Sequence, residues 1–124
     1  MKRTIYVSFV VGFFLLSCQK STEPSKPAPA NIVLDGGLSA SMTSYSKPQL
    51  SGLVKNIGAT AGYNCGVEIA AYKNNIIIDV ANGFPANLGD IPPGDRASFS
   101  AVFFNLALHS DYDRYTTKVT FLSH

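Results

Sequence analysis

Two cysteines, two histidines and one short carboxylate cluster are the side chains in this 124-residue chain with chemistry to offer. A thiol such as Cys18 or Cys65 can pair in a disulfide, bind a metal, act as a nucleophile or accept a covalent group. The cluster is "LHSDYDR", residues 108 to 114, with His109, Asp111, Asp113 and Arg114. Alternating carboxylates at Asp111 and Asp113 can converge on a hard cation such as calcium. The run lacks the glycine and distal glutamate of a calcium hand, and the simpler reading is a solvated loop in which Asp and Ser cap turns and Arg114 pairs locally. Nucleophilic catalysis needs an activated Ser or Cys, a histidine base and an orienting acid. His109 has no motif partner, and His124 stands at the last position. There is no Gly-rich phosphate loop between strand and helix and no zinc spacing. The expectation is a non-enzyme without a cofactor.

The residues around Cys18 decide between the thiol chemistries. Upstream, "MKRTIYVSFVVGFFLL" carries Lys2 and Arg3, then an uncharged stretch from Ile5 to Leu16. These are the charged and apolar regions of a secretory signal. About 12 to 14 residues at roughly 1.5 Å rise span about 20 Å, short of the roughly 30 Å hydrocarbon core that a transmembrane helix must cross. The chain turns polar after Leu16, with small Ser17 at the expected cleavage point. Leu15-Leu16-Ser17-Cys18 resembles the lipobox of bacterial lipoproteins at each position. That resemblance implies diacylglyceration of the Cys18 thiol, cleavage before it and acylation of the new amine. One acyl chain holds a protein only marginally, whereas two or more, at about 0.8 kcal/mol per buried methylene, hold it firmly.

Cleavage would leave about 107 residues, enough for one small domain. It would also take the basic count from 10 to 8, against 8 acidic residues, by removing Lys2 and Arg3. A formally neutral mature chain with scattered Lys and Arg carries no electrostatic footprint for nucleic acid. A Cys18–Cys65 disulfide is permitted in an exported compartment but competes with lipidation of the same sulfur. Cys65 is then expected as an unpaired core residue.

The chain thus divides into three segments: a signal peptide over 1–17, a lipidated Cys and tether over 18–30, and a domain over 31–124. "QKSTEPSKPAPA", residues 19 to 30, has no large apolar side chain. Its prolines at 24, 27 and 29 favour a semi-stiff, solvated, extended chain. From Asn31 onward, short apolar runs are broken every 8 to 12 residues by turn signals, the spacing of a sandwich or barrel. "NIVLDGGLSASMTSY" reads as one or two strands with a turn or bulge at Gly36-Gly37, and "QLSGLVKNIG" as a strand ending in an Asn-x-Gly turn. "GYNCGVEIAAYK" alternates, with Tyr63, Cys65, Val67, Ile69 and Ala71 on one face and Asn64, Glu68 and Tyr72 on the other. Asn74-Asn75 suits a tight hairpin, "IIIDVA" a strand, and Pro93-Gly94 the centre of a type II turn. "RASFSAVFF" puts Phe99, Ala101 and Phe103 on one face, and "YTTKVTFL" does the same for Tyr115, Thr117, Val119 and Phe121. About seven strands without a helical period predict an all-β, antiparallel immunoglobulin-like sandwich.

The order of motifs from Ser51 to Phe103 resembles the small extracytoplasmic sandwich domains of the FxLYD and CARDB-like kind. The carriers are Gly52, Val54, Asn56, Gly58, Pro93, Gly94 and Phe99, in a G-x-V-x-N-x-G strand end and a P-G-x-x-x-x-F turn-and-strand start. Gly58 and Gly94 are expected to supply positive φ and Asn56 to bond the turn backbone. The aromatic-leucine-tyrosine-aspartate signature of the first family is not present in clear form, since the hairpin reads "AAYKNNIII".

Val102, Phe104, Leu106 and Leu108 continue the apolar character of Phe103 on the alternate face. Either a loop covers them or they form an exposed apolar edge for a partner protein, flanked by Tyr72, Tyr112 and Tyr115. The expected function is a lipid-anchored, non-catalytic binding or scaffolding module of the cell envelope. Its expected partners are the membrane, through N-terminal acyl chains, and an envelope protein. The alternative is an ion- or small-ligand-binding module using the 108–114 loop. By resemblance to lipoprotein sorting, Gln19 after the cysteine implies the outer membrane.

Overall fold

The computed structural model describes residues 29–123, so the signal peptide, Cys18, most of the tether and His124 lie outside the described residues. Seven strands form two antiparallel sheets packed face to face, and no α-helix occurs among the described residues. The four-stranded sheet contains β1 (Ile32–Leu34), β2 (Ser39–Met42), β3 (Pro48–Asn56) and β6 (Arg96–Val102). The three-stranded sheet runs β5 (Ile76–Gly83), β4 (Gly62–Lys73), β7 (Arg114–Ser123). β1 and β2 pair with successive parts of β3, β1 at Val54 to Asn56 and β2 at Pro48 to Ser51, so they form one edge strand interrupted at Gly36, where φ is +88°. β6 takes the other edge of β3 from Gln49 to Lys55.

Period-2 alternation accounts for the core. Leu50 and Val54 from β3, Cys65, Val67, Ile69 and Ala71 from β4, and Phe99 and Ala101 from β6 all turn inward and are buried. Each such side chain removes apolar area from water at about 25 cal/mol per Å². Expected turns appear where their chemistry requires: Asn74 and Asn75 at φ 53° and 64° close the β4–β5 hairpin, and Gly94 at φ 83° follows Pro93, with the Asp95 amide on the Pro92 carbonyl at 3.1 Å. Positive φ at both central residues matches the right-handed twist of the strands they join.

The end of the sandwich where β3 finishes is organised by Asn56, which is fully buried. Its Oδ1 accepts from the Asn31 and Gly58 amides at 3.1 and 2.9 Å, and its Nδ2 donates to the Thr60 and Ile91 carbonyls at 2.8 Å each. Its backbone adds bonds with Asp95 and Gly94 at 3.0 and 2.7 Å. A carboxamide has two donors and two acceptor sites, and here all four are used.

Three local expectations are corrected. Gly58 does not adopt positive φ; among the described residues Gly36 and Gly94 are the glycines that do. Gly58 is required by proximity instead, since an added Cβ would lie 2.2 Å from the Pro29 carbonyl oxygen. Tyr63 does not share the inward face with Cys65. An extra residue between Tyr63 and Gly66, with Asn64 at φ 52°, sets Tyr63 opposite Leu122 and Gly66 opposite Thr120, so Tyr63 turns outward. The strand expected through Phe104 ends at Val102: the Phe103 amide still makes the in-register bond to the Pro48 carbonyl at 2.9 Å, but Pro48 has no N–H to return it and the ladder stops there.

Asn56→Ala strands the Asn31 and Gly58 amides and the Thr60 carbonyl, each costing about 1–3 kcal/mol if unsatisfied, and leaves the Ile91 carbonyl with its Gly62 bond alone. Urea unfolding should show a loss of about 3 kcal/mol or more, against about 0.5 kcal/mol or less for Asn31→Ala, whose side chain makes no such network. A loss under about 1 kcal/mol at Asn56 contradicts this account.

Candidate functional site

Strand direction sorts the loops onto two ends. Pro29–Ala30, the 57–61 turn, Ile91 to Asp95 and the end of β7 share the end built around Asn56: Ala30 N–H donates to Ser123 Oγ at 2.9 Å, and Gly62 exchanges backbone bonds with Ile91. The β2–β3 turn, the Asn74-Asn75 hairpin and the 103–113 connection lie at the opposite, distal end, where β2, β4 and β6 finish and β3, β5 and β7 start. Both expected site regions, Val102 to Leu108 and 108–114, are thus at the end away from the tether.

The apolar run is divided rather than continuous. Val102 is half-buried, Phe104 is 63% exposed and Leu108 is exposed, whereas Leu106 is only 7% exposed and belongs to the core, which corrects its place on the expected partner surface. The division follows from the chain leaving the strand at Phe103, which ends the period of two. Asp79 then fixes the new course. This inward-facing carboxylate is buried, its Oδ1 accepting from the Val80 amide at 2.8 Å and Asn105 Nδ2 at 3.1 Å and its Oδ2 from the Asn105 amide at 3.0 Å. Charge-assisted bonds of this kind offset the cost of burying the carboxylate. The exposed Phe104 ring stacks on Tyr45 of the β2–β3 turn, with centroids 6.3 Å apart and planes 7° from parallel.

In the 108–114 loop the functional groups are consumed by local structure. Asp111 Oδ2 accepts from the Leu108 and Ala107 amides at 2.9 and 3.0 Å, closing the short 3-10 turn His109–Asp111. Those two bonds, Leu108 first, hold its carboxyl below the ordinary range. Asp113 Oδ2 serves a different amide, that of Asn74, at 3.1 Å. Among the described residues no three His, Cys, Asp or Glu side chains gather as a metal site. His109 Nε2 donates to the Ser41 carbonyl at 2.8 Å, and Nδ1 meets the Tyr112 hydroxyl at 2.7 Å. Burial, reinforced by Tyr115, pushes the Tyr112 phenol up. Arg114 lies over the Tyr72 ring, 3.9 Å from its centroid, and reaches Asn75 Oδ1 at 3.4 Å. Cys65 is fully buried and unpaired, and burial pushes its thiol up, so no nucleophilic thiolate is presented.

The distal end therefore offers contact chemistry, with exposed Tyr45, Phe104 and Leu108 on a frame tied down by Asp79, Asp111 and His109. The sequence reading missed Tyr45, Asp79 and Asn105. Asp79 carried a signal, being a lone acid at an inward position of an apolar run, while Tyr45 is distant in sequence from Phe104, the ring it stacks on. Among the described residues no helix is long and apolar enough to cross a membrane.

A scan against protein-family models finds no match, and comparisons with curated proteins and with solved structures find none.

The Asp111 bonds favour the ionised carboxylate, the stronger acceptor. Since its pKa is depressed in the folded state, the loop keeps this support above the ordinary carboxylate value of about 3.9 and loses it as pH falls through the lower folded value. Amide exchange should show Leu108 and Ala107 protected at neutral pH and unprotected in Asp111→Ala. If that variant leaves both amides protected, the carboxylate is not what closes the turn.

Proposed function

We propose that this chain is a bacterial lipoprotein of the cell envelope, acylated at Cys18, whose sandwich is a non-catalytic binding or scaffolding module. Its working surface is the distal end around Tyr45, Phe104 and Leu108. The observation that carries the reading is the polarity of the sandwich: the chain runs from the tether into Ala30 at one end, while the Tyr45–Phe104 stack lies at the other. An anchor at Cys18 with a semi-stiff tether of about 3.1 Å per extended residue leaves that distal end free to meet a second protein. Aromatic side chains suit such a surface because they bring large contact area at low rotamer cost. The Leu-Leu-Ser-Cys lipobox supports the anchor, the turn motifs at Asn56 to Gly58 and Pro93-Gly94 support the FxLYD/CARDB-like relationship, and Gln19 supports the outer membrane. The ion-binding alternative receives less support, because Asp111 and Asp113 each satisfy a separate set of backbone amides.

Two variants in cells test the two parts. Cys18→Ser should accumulate unprocessed and take up no labelled fatty acid; labelling of that variant sinks the anchor. Phe104→Asp with Leu108→Asp should still be acylated and keep its melting temperature within a few degrees, while losing at least tenfold in cross-linking to its envelope partner from a photoreactive residue at Tyr45. Undiminished cross-linking moves the binding surface elsewhere.

A further inference from the structure

The seam between β2 and β7 is less closed than the rest of the sandwich. Register fixes which β7 side chains turn inward: Tyr115, Thr117 and Val119 stand opposite Ala71, Ile69 and Val67, three fully buried residues of β4. Yet Tyr115 and Thr117 are exposed and Val119 and Phe121 only half-buried. Across the gap, Ala40 and Met42 of β2 pair with inward Leu50 and Pro48 and are exposed as well. An inward face is only partly covered on both sheets at the same place, where the 109–112 loop reaches across the distal end through His109 to Ser41 and Tyr112 to Tyr115. Its cause is that β7 is an edge: β4 pairs with one side of it, and among the described residues no strand pairs with the other.

Edge strands are normally blunted by prolines, bulges, brevity or charge. The β1–β2 edge is broken at Gly36, and β5 carries the irregularity opposite Ala71-Tyr72. β7 runs ten residues without a proline, the irregularity in its pairing comes from the extra residue in β4, and its guards are two charges, Arg114 and Lys118, both on the outward face. The chain's own tether is a poor filler, since prolines at 24, 27 and 29 interrupt its row of donors and it has no large apolar side chain to turn inward.

We propose that the outer edge of β7 pairs antiparallel with β7 of a second copy of this chain, about a two-fold axis at Thr117. Each β7 then supplies the missing neighbour of the other's seam, an isologous, closed arrangement. Charge selects the register. With Thr117 opposite itself, Tyr115 faces Val119 of the second copy and Thr116 faces its Lys118. Aromatic–β-branched and Thr–Thr pairs are among the favourable cross-strand pairs, and no like charges oppose. Moving the axis to Lys118 sets that lysine against itself. Moving it to Thr116 sets Arg114 against Lys118. Moving it to Val119 draws in Ser123, whose hydroxyl already accepts from the Ala30 amide. Balanced charge, 8 basic against 8 acidic once Lys2 and Arg3 are removed, leaves no net repulsion between copies. Antiparallel pairing turns the two tether ends apart. Where Cys18 is the anchor, about 11 extended residues reach about 34 Å, close to the roughly 33 Å of a ten-residue strand, so one bilayer can hold both.

The test is disulfide trapping in envelopes of cells expressing the full chain. Directly opposed residues in an antiparallel pair have Cα atoms about 4.5–5.5 Å apart, within the span of a disulfide. Under brief copper–phenanthroline oxidation, which removes two electrons and two protons per disulfide, Thr117→Cys should convert most of the chain to a reducible dimer. Thr116→Cys and Val119→Cys should each give at least fivefold less. Val119→Lys added to Thr117→Cys should abolish the dimer while the purified protein keeps its strand spectrum and its melting transition. Equal trapping at all three positions means random collision and overturns the proposal, as does preferential trapping at Thr116 or Val119, or linkage of Thr117→Cys to a different polypeptide. The parent chain separates this from the anchor: with Cys18 acylated and Cys65 buried it should not cross-link, and a parent dimer through Cys18 would refute the lipid reading while leaving the Thr117 comparison intact.

Discussion

Everything at the tether end of the sandwich depends on one saturated carboxamide. Asn56 is the last residue of β3, and its side chain holds four backbone groups from three separate segments: Asn31, Gly58 with Thr60, and Ile91. Those segments are the start of the edge strand, the β3–β4 turn and the bridge that closes β4 onto the β5–β6 connection. The Ile91 carbonyl has a second bond from the Gly62 amide, but the Asn31 and Gly58 amides and the Thr60 carbonyl have no ladder partner there and without the side chain would be orphans. No other side chain fits as well. Aspartate offers acceptors alone and would press a charge against two carbonyls, and leucine would fill the space while leaving those three groups unpaired. Gly58 completes the constraint from the other side, since only a residue without Cβ lets the Pro29 carbonyl approach the turn.

At the distal end the loops rest on a different device, a carboxylate acting on backbone amides: Asp79 for Asn105, Asp111 for Ala107 and Leu108, Asp113 for Asn74. His109 and Tyr112 link the same loop to β2. Such a loop spends its polar groups on its own shape, which leaves apolar rings as its outward chemistry. The same residues that suggested a cation site in the sequence are therefore the reason the loop can present Phe104 and Leu108 in a fixed arrangement.

Periodicity made most of the fold legible. Cys65 to Ala71 and Phe99 to Phe103 alternate cleanly, and Asn74-Asn75 and Pro93-Gly94 name their turns through backbone chemistry. What escaped were places where one residue changes the parity of a strand. The extra residue beside Asn64 turns Tyr63 outward, and the exit at Phe103 sends Leu106 inward. Composition carries no trace of either, because a bulge or an exit is decided by long-range pairing. The left-handed run at Ala86, Asn87 and Leu88 is similar: Asn87 alone hints at positive φ, while Ala86 and Leu88 adopt 55° and 69° because Gly89 and Phe84 close the turn around them. The Tyr45–Phe104 stack joins residues from two loops that nothing short of the topology brings together.

The two open features of the molecule have a common origin in that topology. Each sheet is three strands wide, since β1 and β2 share one edge of β3, and the gap falls where the edge strands β2 and β7 meet. A sandwich can close such a gap by adding large side chains or by adding a strand. Here the inward positions of β2 are Ala40 and Met42, too little volume to close it, and those of β7 keep the tyrosine, threonine, valine and phenylalanine of an interior strand. Side chains of that type on an edge lower the cost of association, since part of the desolvation they would undergo is already complete in the half-buried state of Val119 and Phe121. The distal rings lack that preparation: Phe104 and Tyr45 cover each other but little else, so a partner there must bring its own complementary surface. The seam favours a strand, and the distal end favours a side-chain contact.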